Sequence, residues 1–332
     1  MIRYLFIIST HHQLLQVKEA VKCFSIEKKQ VVFFILVHNN DLHWWNDTYD
    51  FAFKENVKVI KNWVFADLFF HRYKFKIFIN ELNKLNKQNY KYILFNSQYL
   101  SDPSMLICSI INPVRYYLMD EGTASFNVVQ FRGGRKFYKT SFKIFIKSIL
   151  YGYKISSPTS ITYFTQYNLE IANKRDEIFV YKFNLREIEE LEIDENWIIF
   201  LGSSMTDVNM LSLKEYLNIL RKVKKIYFSE NLCYYAHRKE SAEKLNLIKD
   251  IGFNVVENDK PFEMLYKDMK KFPKIICSFQ SPVLDNLSKN YLLSSTLIIF
   301  RYNIELLKRN KTSVELIYKE FEKNKKLTIV DI

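Results

Sequence analysis

The first 24 residues read Met1-Ile-Arg-Tyr-Leu-Phe-Ile-Ile-Ser-Thr10-His-His-Gln-Leu-Leu-Gln-Val-Lys-Glu-Ala20-Val-Lys-Cys-Phe24. Residues 4–9 read as a buried strand, apolar from Tyr4 to Ile8 and closed by Ser9, and 13–24 carry Leu14, Val17 and Val21 at helical spacing. A buried strand that passes through a polar turn into an amphipathic helix opens a βαβ unit. Working outward, apolar runs at 31–37, 57–60, 92–95 and 114–119 predict further strands, with a helix across about 67–86. The second half repeats the rhythm. Strands are predicted there at 197–201, 232–236, 254–256, 274–277 and 296–300, with helices near 212–228, 241–250, 261–270 and 282–291. Strand alternating with helix implies parallel sheets covered by helices on both faces. Residues 168–196 are charge-rich and break this rhythm. The expected α/β architecture is two Rossmann-like domains facing a central cleft: one at 1–156, a connection at 157–196, and a second domain at 197–311. A last helix within 312–332 is expected to cross back onto the first domain.

Composition agrees with two domains, since 332 residues exceed the ~150 typical of one. Hydrophobic residues at 48% exclude general disorder. Lys and Arg number 49 against 36 Asp and Glu, a net charge of +13 that favours an anionic partner: nucleic acid, an anionic membrane or a phosphorylated small molecule. Part of that surplus is background, because Lys, Asn, Ile, Phe and Tyr are heavily used throughout, as an AT-rich genome produces. Cys23, Cys108, Cys233 and Cys277 lack CxxC spacing and read as reduced thiols rather than a zinc site or disulfide framework. The opening apolar run is too short for a signal peptide, and no later segment reaches the ~18 apolar residues of a membrane span. A cytoplasmic protein is expected, peripheral at the inner membrane if it meets a bilayer.

Only six glycines occur, and neither GxGxxG nor GxxxxGK[ST] is present. An Asp-x-Asp metal motif is missing too, so a nucleotide site here is expected to work without a divalent metal or other cofactor. Four loops nevertheless carry candidate chemistry. Asp120-Glu121-Gly122 follows the 114–119 strand, and acids at the carboxyl end of a parallel strand face the crevice where α/β proteins bind ligands. Either acid can accept a proton from an attacking hydroxyl or hold a sugar; the plainer reading is a solvated loop. Gly202-Ser203-Ser204, with Asp207 beyond, lets backbone N–H groups and hydroxyls approach a phosphate. Its plainer reading is a turn before a helix capped by Ser212.

Tyr234-Tyr-Ala-His237-Arg238-Lys-Glu240 places an imidazole with basic neighbours after a strand, suited to a developing phosphate charge. A lone His in such a place is otherwise a satisfied structural residue. Glu263 opens one helix and suits ribose hydroxyls or the helix dipole. Ser278 and Ser281 flank another strand-to-helix junction, where free N–H groups favour an anion.

The order of these motifs resembles glycosyltransferase family 52, the bacterial lipooligosaccharide sialyltransferase type. The matching segments are Ile7-Ile-Ser-Thr10-His-His-Gln-Leu-Leu15, Asp120–Gly122, Leu201-Gly-Ser-Ser with its following acid, and the Tyr-Tyr-x-His-Arg-x-Glu run at 234–240. The resemblance implies a GT-B enzyme that moves sialic acid from CMP-sialic acid to a hydroxyl of a cell-surface glycan, in lipooligosaccharide or capsule, with inversion and without metal. It implies His237 as the acid that helps CMP leave, and Asp207 or Asp120 as base. Gly202, Ser203, Ser204, Arg238, Ser278 and Ser281 would hold phosphate and Glu263 the ribose, while Thr10, Glu121 and Gly122 would line the remaining substrate site. The chain departs from the common His-Pro pair, having His237-Arg238, and Ala236 stands where proline is frequent. That departure leaves room for another nonulosonic acid or a hexose as the transferred sugar.

The expected partners are a nucleotide-sugar donor and a glycan or glycolipid acceptor, with a homodimer compatible. Lys136, Lys139, Lys143 and Lys147 fall on one helical face opposite Tyr138, Phe142, Phe145 and Ile149, a pattern that suits an anionic membrane or, more plainly, a surface helix over a core. A nucleic-acid-binding protein is the rival from another class. It is disfavoured because no RRM, KH or helix-turn-helix signature appears and the basic residues are spread along the chain. A catalytically dead scaffold would not require the paired acids and His237.

Overall fold

The computed structural model describes residues 1–37, 44–61, 72–120, 124–134, 144, 146, 148–149, 154–182, 192–228, 230–237, 240–257, 262–290 and 294–332. Two compact units divide the chain, Met1–Lys182 and Phe183–Ile332.

The first unit runs β1 (Ile2–Ile8), α1 (His11–Cys23), β2 (Val31–Leu36), β3 (Val57–Ile60), α2 (Arg72–Asn86), β4 (Lys91–Asn96), α3 (Asp102–Ile110), β5 (Arg115–Met119), α4 (Ala124–Gly133), β6 (Thr162–Thr165) and β7 (Glu177–Val180). Its seven strands lie in the order β3-β2-β1-β4-β5-β6-β7, and the pairs are parallel. Register explains one face. Phe6 stands opposite Phe33 and Phe95, and Phe95 opposite Tyr117, so period-2 alternation stacks a row of rings across the strands. Phe6 and Phe95 stack at 4.8 Å and Phe95 and Tyr117 at 4.5 Å, with Phe24 from the end of α1 against Tyr117. The opposite face buries Leu5, Phe34, Leu94 and Leu118 under Phe78 and Leu82 of α2 and Leu106 of α3.

Residues 157–182 are not a connection, because they supply β6 and β7 to this sheet. A buried ion pair holds them. The Arg132 guanidinium donates to both oxygens of Asp176, each at 2.6 Å, and to the Thr159 carbonyl, with the two side chains at most 1% exposed. Charges so enclosed persist only where every polar atom is matched, which fixes α4 against the loop before β7.

The second unit runs β8 (Glu192–Leu201), α5 (Leu213–Ile226), β9 (Asn231–Tyr235), α6 (Ala242–Asp250), β10 (Asn254–Val256), α7 (Phe262–Asp268), β11 (Lys271–Ser278), α8 (Pro282–Asn290), β12 (Thr296–Arg301), α9 (Lys311–Glu322) and β13 (Leu327–Asp331). The order is β10-β9-β8-β11-β12-β13, again parallel. Ser212 caps α5 by accepting from the Glu215 amide at 3.2 Å, and the helix buries Tyr216, Leu217, Ile219, Leu220 and Val223 at i, i+3, i+4 and i+7 spacing. The β8 to β11 register shifts between Pro273 and Ile275, where proline lacks the amide a ladder needs. The 312–332 segment carries a strand besides its helix: α9 is followed by β13, which pairs with β12 and lengthens the second sheet. Among the described residues no helix is long and apolar enough to cross a membrane.

Candidate active site

Strand order locates the crevices. In the second sheet β9 lies on one side of β8 and β11 on the other, so the loops leaving the carboxyl ends of β8 and β11 turn in opposite directions and part there. In the first sheet the same parting falls between β1 and β4.

At the second crevice the turn after β8 is fixed by steric exclusion and by a buried charge. A Cβ on Gly202 would sit 2.6 Å from Glu240 Oε2 and 2.7 Å from the Tyr234 ring and hydroxyl, so only glycine lets the turn lie this close. Glu240 is the centre of the arrangement. Its side chain is fully enclosed and accepts from Tyr234 Oη, the His237 amide and Lys244 Nζ, each at 2.6 Å. Burial pushes the Glu240 carboxyl above the usual carboxylate range, against the lowering pull of the Lys244 ammonium and these donors. Lys244, 2% exposed, also donates to the Ser203 carbonyl at 2.8 Å, faces Asp207 at 3.4 Å and lies 4.1 Å from the Tyr216 ring centroid. Tyr216 Oη meets Tyr234 Oη at 2.7 Å and accepts from the Ser203 amide at 3.3 Å. One ammonium and one carboxylate therefore tie the β8 loop, the β9 loop, α5 and α6 together.

The predicted residues distribute as follows. Gly202, Ser203, Ser204 and Asp207 form the turn after β8, and His237 opens the turn after β9, whose Glu240 amide donates back to the His237 carbonyl at 2.8 Å. The Asp207 side chain is 19% exposed and accepts from Thr206 Oγ1 at 3.0 Å. Ser281 accepts from the Val283 amide at 3.3 Å at the start of α8, and Glu263 in the first turn of α7 accepts from Asn286 at 3.4 Å. Arg238 lies outside the described residues.

Two expectations need correction. Ser278 is fully buried, and its hydroxyl donates to the Leu201 carbonyl at 2.8 Å, so it fastens β11 to β8 instead of facing a phosphate. Asp120, at the end of β5, is 4% exposed with Oδ1 taken by Ser125 at 2.6 Å and Oδ2 by the Gln166 amide at 3.0 Å. Its carboxylate anchors the β6 end, and at this burial it offers a substrate hydroxyl little access. Glu121 and Gly122 lie outside the described residues, as does most of the 136–153 stretch, including its four lysines.

At the first crevice Thr10 caps α1, accepting from the Gln13 amide at 3.3 Å. Gln13, missed in the sequence, bridges the crevice: its Oε1 accepts from the Ser9 amide at 2.6 Å and its Nε2 donates to Ser97 Oγ at 2.5 Å. Ser9, Gln13 and Ser97 line a small depression together with Gln98, Ser101, Ile8 and Pro103. Glu240 and Lys244 were missed as site residues as well; the visible signal was their i, i+4 spacing next to His237. Among the described residues no group of three His, Cys, Asp or Glu side chains is placed to hold a metal ion.

No family model and no curated protein matches this sequence. Solved structures do match. The Arabidopsis thaliana UGT89C1 in complex with UDP aligns over 99% of this chain and 86% of its own, at 10% identity and a TM-score of 0.57. A Listeria monocytogenes protein described as a UDP-N-acetylglucosamine 2-epimerase covers 98% and 89%, at 10% identity and 0.54. A Photobacterium 2,6-sialyltransferase, solved with CMP and lactose, covers 98% and 78%, at 13% identity and 0.52. These likenesses show the fold, GT-B with two Rossmann-like domains, and at such identities they show the fold alone.

Proposed function

We propose that this protein is a glycosyltransferase that takes a sugar from a nucleotide-sugar donor, with CMP-sialic acid as the donor and a glycan hydroxyl as the acceptor. The observation that carries the reading is the turn at Gly202–Asp207, pressed onto the Glu240–Lys244 pair at the switch point of the second sheet with His237 in the next loop. The Gly202 and Ser203 amides are spent inside the protein, on the Tyr235 carbonyl at 2.8 Å and Tyr216 Oη at 3.3 Å, so the reading rests on where the turn lies, at the switch point where parallel α/β sheets bind nucleotides. The family 52 resemblance supplies the choice of CMP-sialic acid.

In the proposed reaction the acceptor oxygen attacks the anomeric carbon in line with the departing phosphate. The C–O bond to the acceptor forms as the C–O bond to phosphate breaks, with inversion and without metal. Asp207, whose carboxylate remains accessible, takes the acceptor's proton. His237 neutralises the charge developing on the CMP phosphate and donates a proton to it. Asp120 is left with an anchoring role.

Calorimetric titration with CMP, UDP and GDP tests the donor class. Binding of CMP above the other two is expected, followed by acceptor-dependent release of CMP from CMP-sialic acid. His237→Ala should lower turnover about 100-fold with donor affinity changed only a few-fold. Unaltered turnover in that variant removes His237 from the mechanism. A preference for UDP replaces the sialyl donor with a hexosyl one on the same scaffold.

A further inference from the structure

The end of α5 carries a patch that the proposed reaction does not use. Between Leu220 and Asn231 the chain reads Leu-Arg-Lys-Val-Lys-Lys-Ile-Tyr-Phe-Ser-Glu-Asn, four cations against one acid. Only Val223 of residues 221–228 is buried, against the core. Arg221 and Lys225 are one helical turn apart, as are Lys222 and Ile226, so these four exposed side chains form a single stripe. Directly beyond the helix Phe228 is 78% exposed, and Ile226 is 49% exposed. Many cations elsewhere in this unit have carboxylate partners, as in Lys249–Glu257, Lys271–Glu192, Lys274–Glu195, Lys311–Glu305 and Lys319–Glu315. Among the described residues none of Arg221, Lys222, Lys224 and Lys225 has one, and Arg221 donates only to the Asn218 side chain.

A helix whose last turn combines unneutralised cations with a projecting phenyl ring and an isoleucine is matched by an anionic lipid surface. The cations meet headgroup phosphates, and the two apolar side chains enter the acyl boundary. Nucleic acid would satisfy the charges but offers no apolar layer for Ile226. α5 leaves the carboxyl end of β8 and returns to the start of β9, so this patch lies at the end of the sheet opposite the Gly202 turn. Docking through it leaves that turn uncovered.

We infer that the Arg221–Phe228 segment is a membrane-docking surface selective for anionic bilayers. The test is co-flotation of the full chain with vesicles of phosphatidylcholine alone or with 30% phosphatidylglycerol, in 50 and 500 mM salt. Binding is expected only to the anionic vesicles and should weaken at high salt. Each of Lys222→Gln and Lys225→Gln should reduce affinity about fivefold, equivalent to about 1 kcal/mol per lysine near the surface. Phe228→Ser should reduce it about tenfold, and because residue 228 is exposed the thermal midpoint should not move. Phe228→Trp adds a local reporter: a blue shift on binding and quenching by brominated lipid, absent from the parent protein, place this residue in the bilayer. Failure of the parent to bind overturns the inference. So does binding that Phe228→Ser leaves intact, or a Phe228→Trp signal that stays water-exposed, which assigns docking to another surface. Tighter capture of an oligonucleotide than of anionic vesicles, indifferent to Phe228, replaces the membrane with nucleic acid.

Discussion

Removing the charge of Glu240 while keeping its shape, as Glu240→Gln does, leaves Lys244 enclosed without its nearest counter-ion. Breaking a buried pair in this way costs about 3–5 kcal/mol. The lower figure applies, because Asp207 at 3.4 Å and the Ser203 carbonyl at 2.8 Å still face the ammonium. A loss of about 3 kcal/mol corresponds to a fall of about 6–12 °C in the midpoint of a unit the size of Phe183–Ile332. Lys244→Met acts differently, since burial already raises the Glu240 carboxyl and loss of the cation lets it take up a proton. That variant should lose about 2 kcal/mol, the worth of the charged hydrogen bonds. The double variant replaces the pair by neutral groups of similar volume and should lose only about 1 kcal/mol.

Urea unfolding gives the three free energies, and hydrogen exchange resolved by peptide assigns the losses to residues 202–244. The coupling should exceed about 2 kcal/mol, and single effects that add to within about 0.5 kcal/mol would refute the pairing. Lys244→Met carries a second signature. A carboxyl whose folded pKa lies above its unfolded value contributes stability at low pH and loses it as pH rises through the folded value, so this variant should gain stability relative to the parent on acidification.

Gly202→Ala drives a methyl group into Glu240 and Tyr234 and should destabilise the second unit by about 1–3 kcal/mol, with loss of any nucleotide-induced rise in its thermal midpoint. Arg301 at the end of β12 holds Asp331 of β13 at 2.5 and 2.9 Å and keeps its carboxyl below the usual range. That clamp is complete above about pH 4, the unfolded carboxylate range, and is lost as pH falls through the lower folded value. Exchange protection of the β13 amides should therefore fall below pH 4, and Asp331→Asn should remove the pH step. The thiols should divide by burial: exposed Cys23 reacts promptly with a disulfide reagent at pH 8. Cys108, pushed up to about 12, and fully buried Cys277 react only on unfolding.

Strands formed from apolar runs were readable from the sequence: 31–37 overlies β2 and 296–300 overlies β12, and the shorter stretches 57–60 and 254–256 coincide with β3 and β10. Elements lacking that contrast were not. Residues 102–110 form α3, but Pro103 through Cys108 are all buried, so no polar face marks a helical period. Thr162–Thr165 follows the Ser- and Thr-rich stretch 156–162, and Glu177–Val180 sits in charged sequence where Arg115, two strands away in β5, reaches across β6 to pair with Glu177. At the site, the Gly202 turn and His237 stood out because small residues and an imidazole after a strand have few structural reasons to be there. Lys244 read as one more lysine on an amphipathic helix. Its burial arises only when α6 is laid beside the β8 turn, a long-range consequence that no local pattern encodes.

The placement of β13 has a consequence for biosynthesis. Among the described residues every strand of the first sheet has been made by residue 180, so that unit can fold while the ribosome spends about 8–30 s on the next 150 residues. Until residues 327–331 emerge, β12 presents Leu297-Ile-Ile-Phe300 as an unpaired apolar edge, a template for another chain that the arrival of β13 covers.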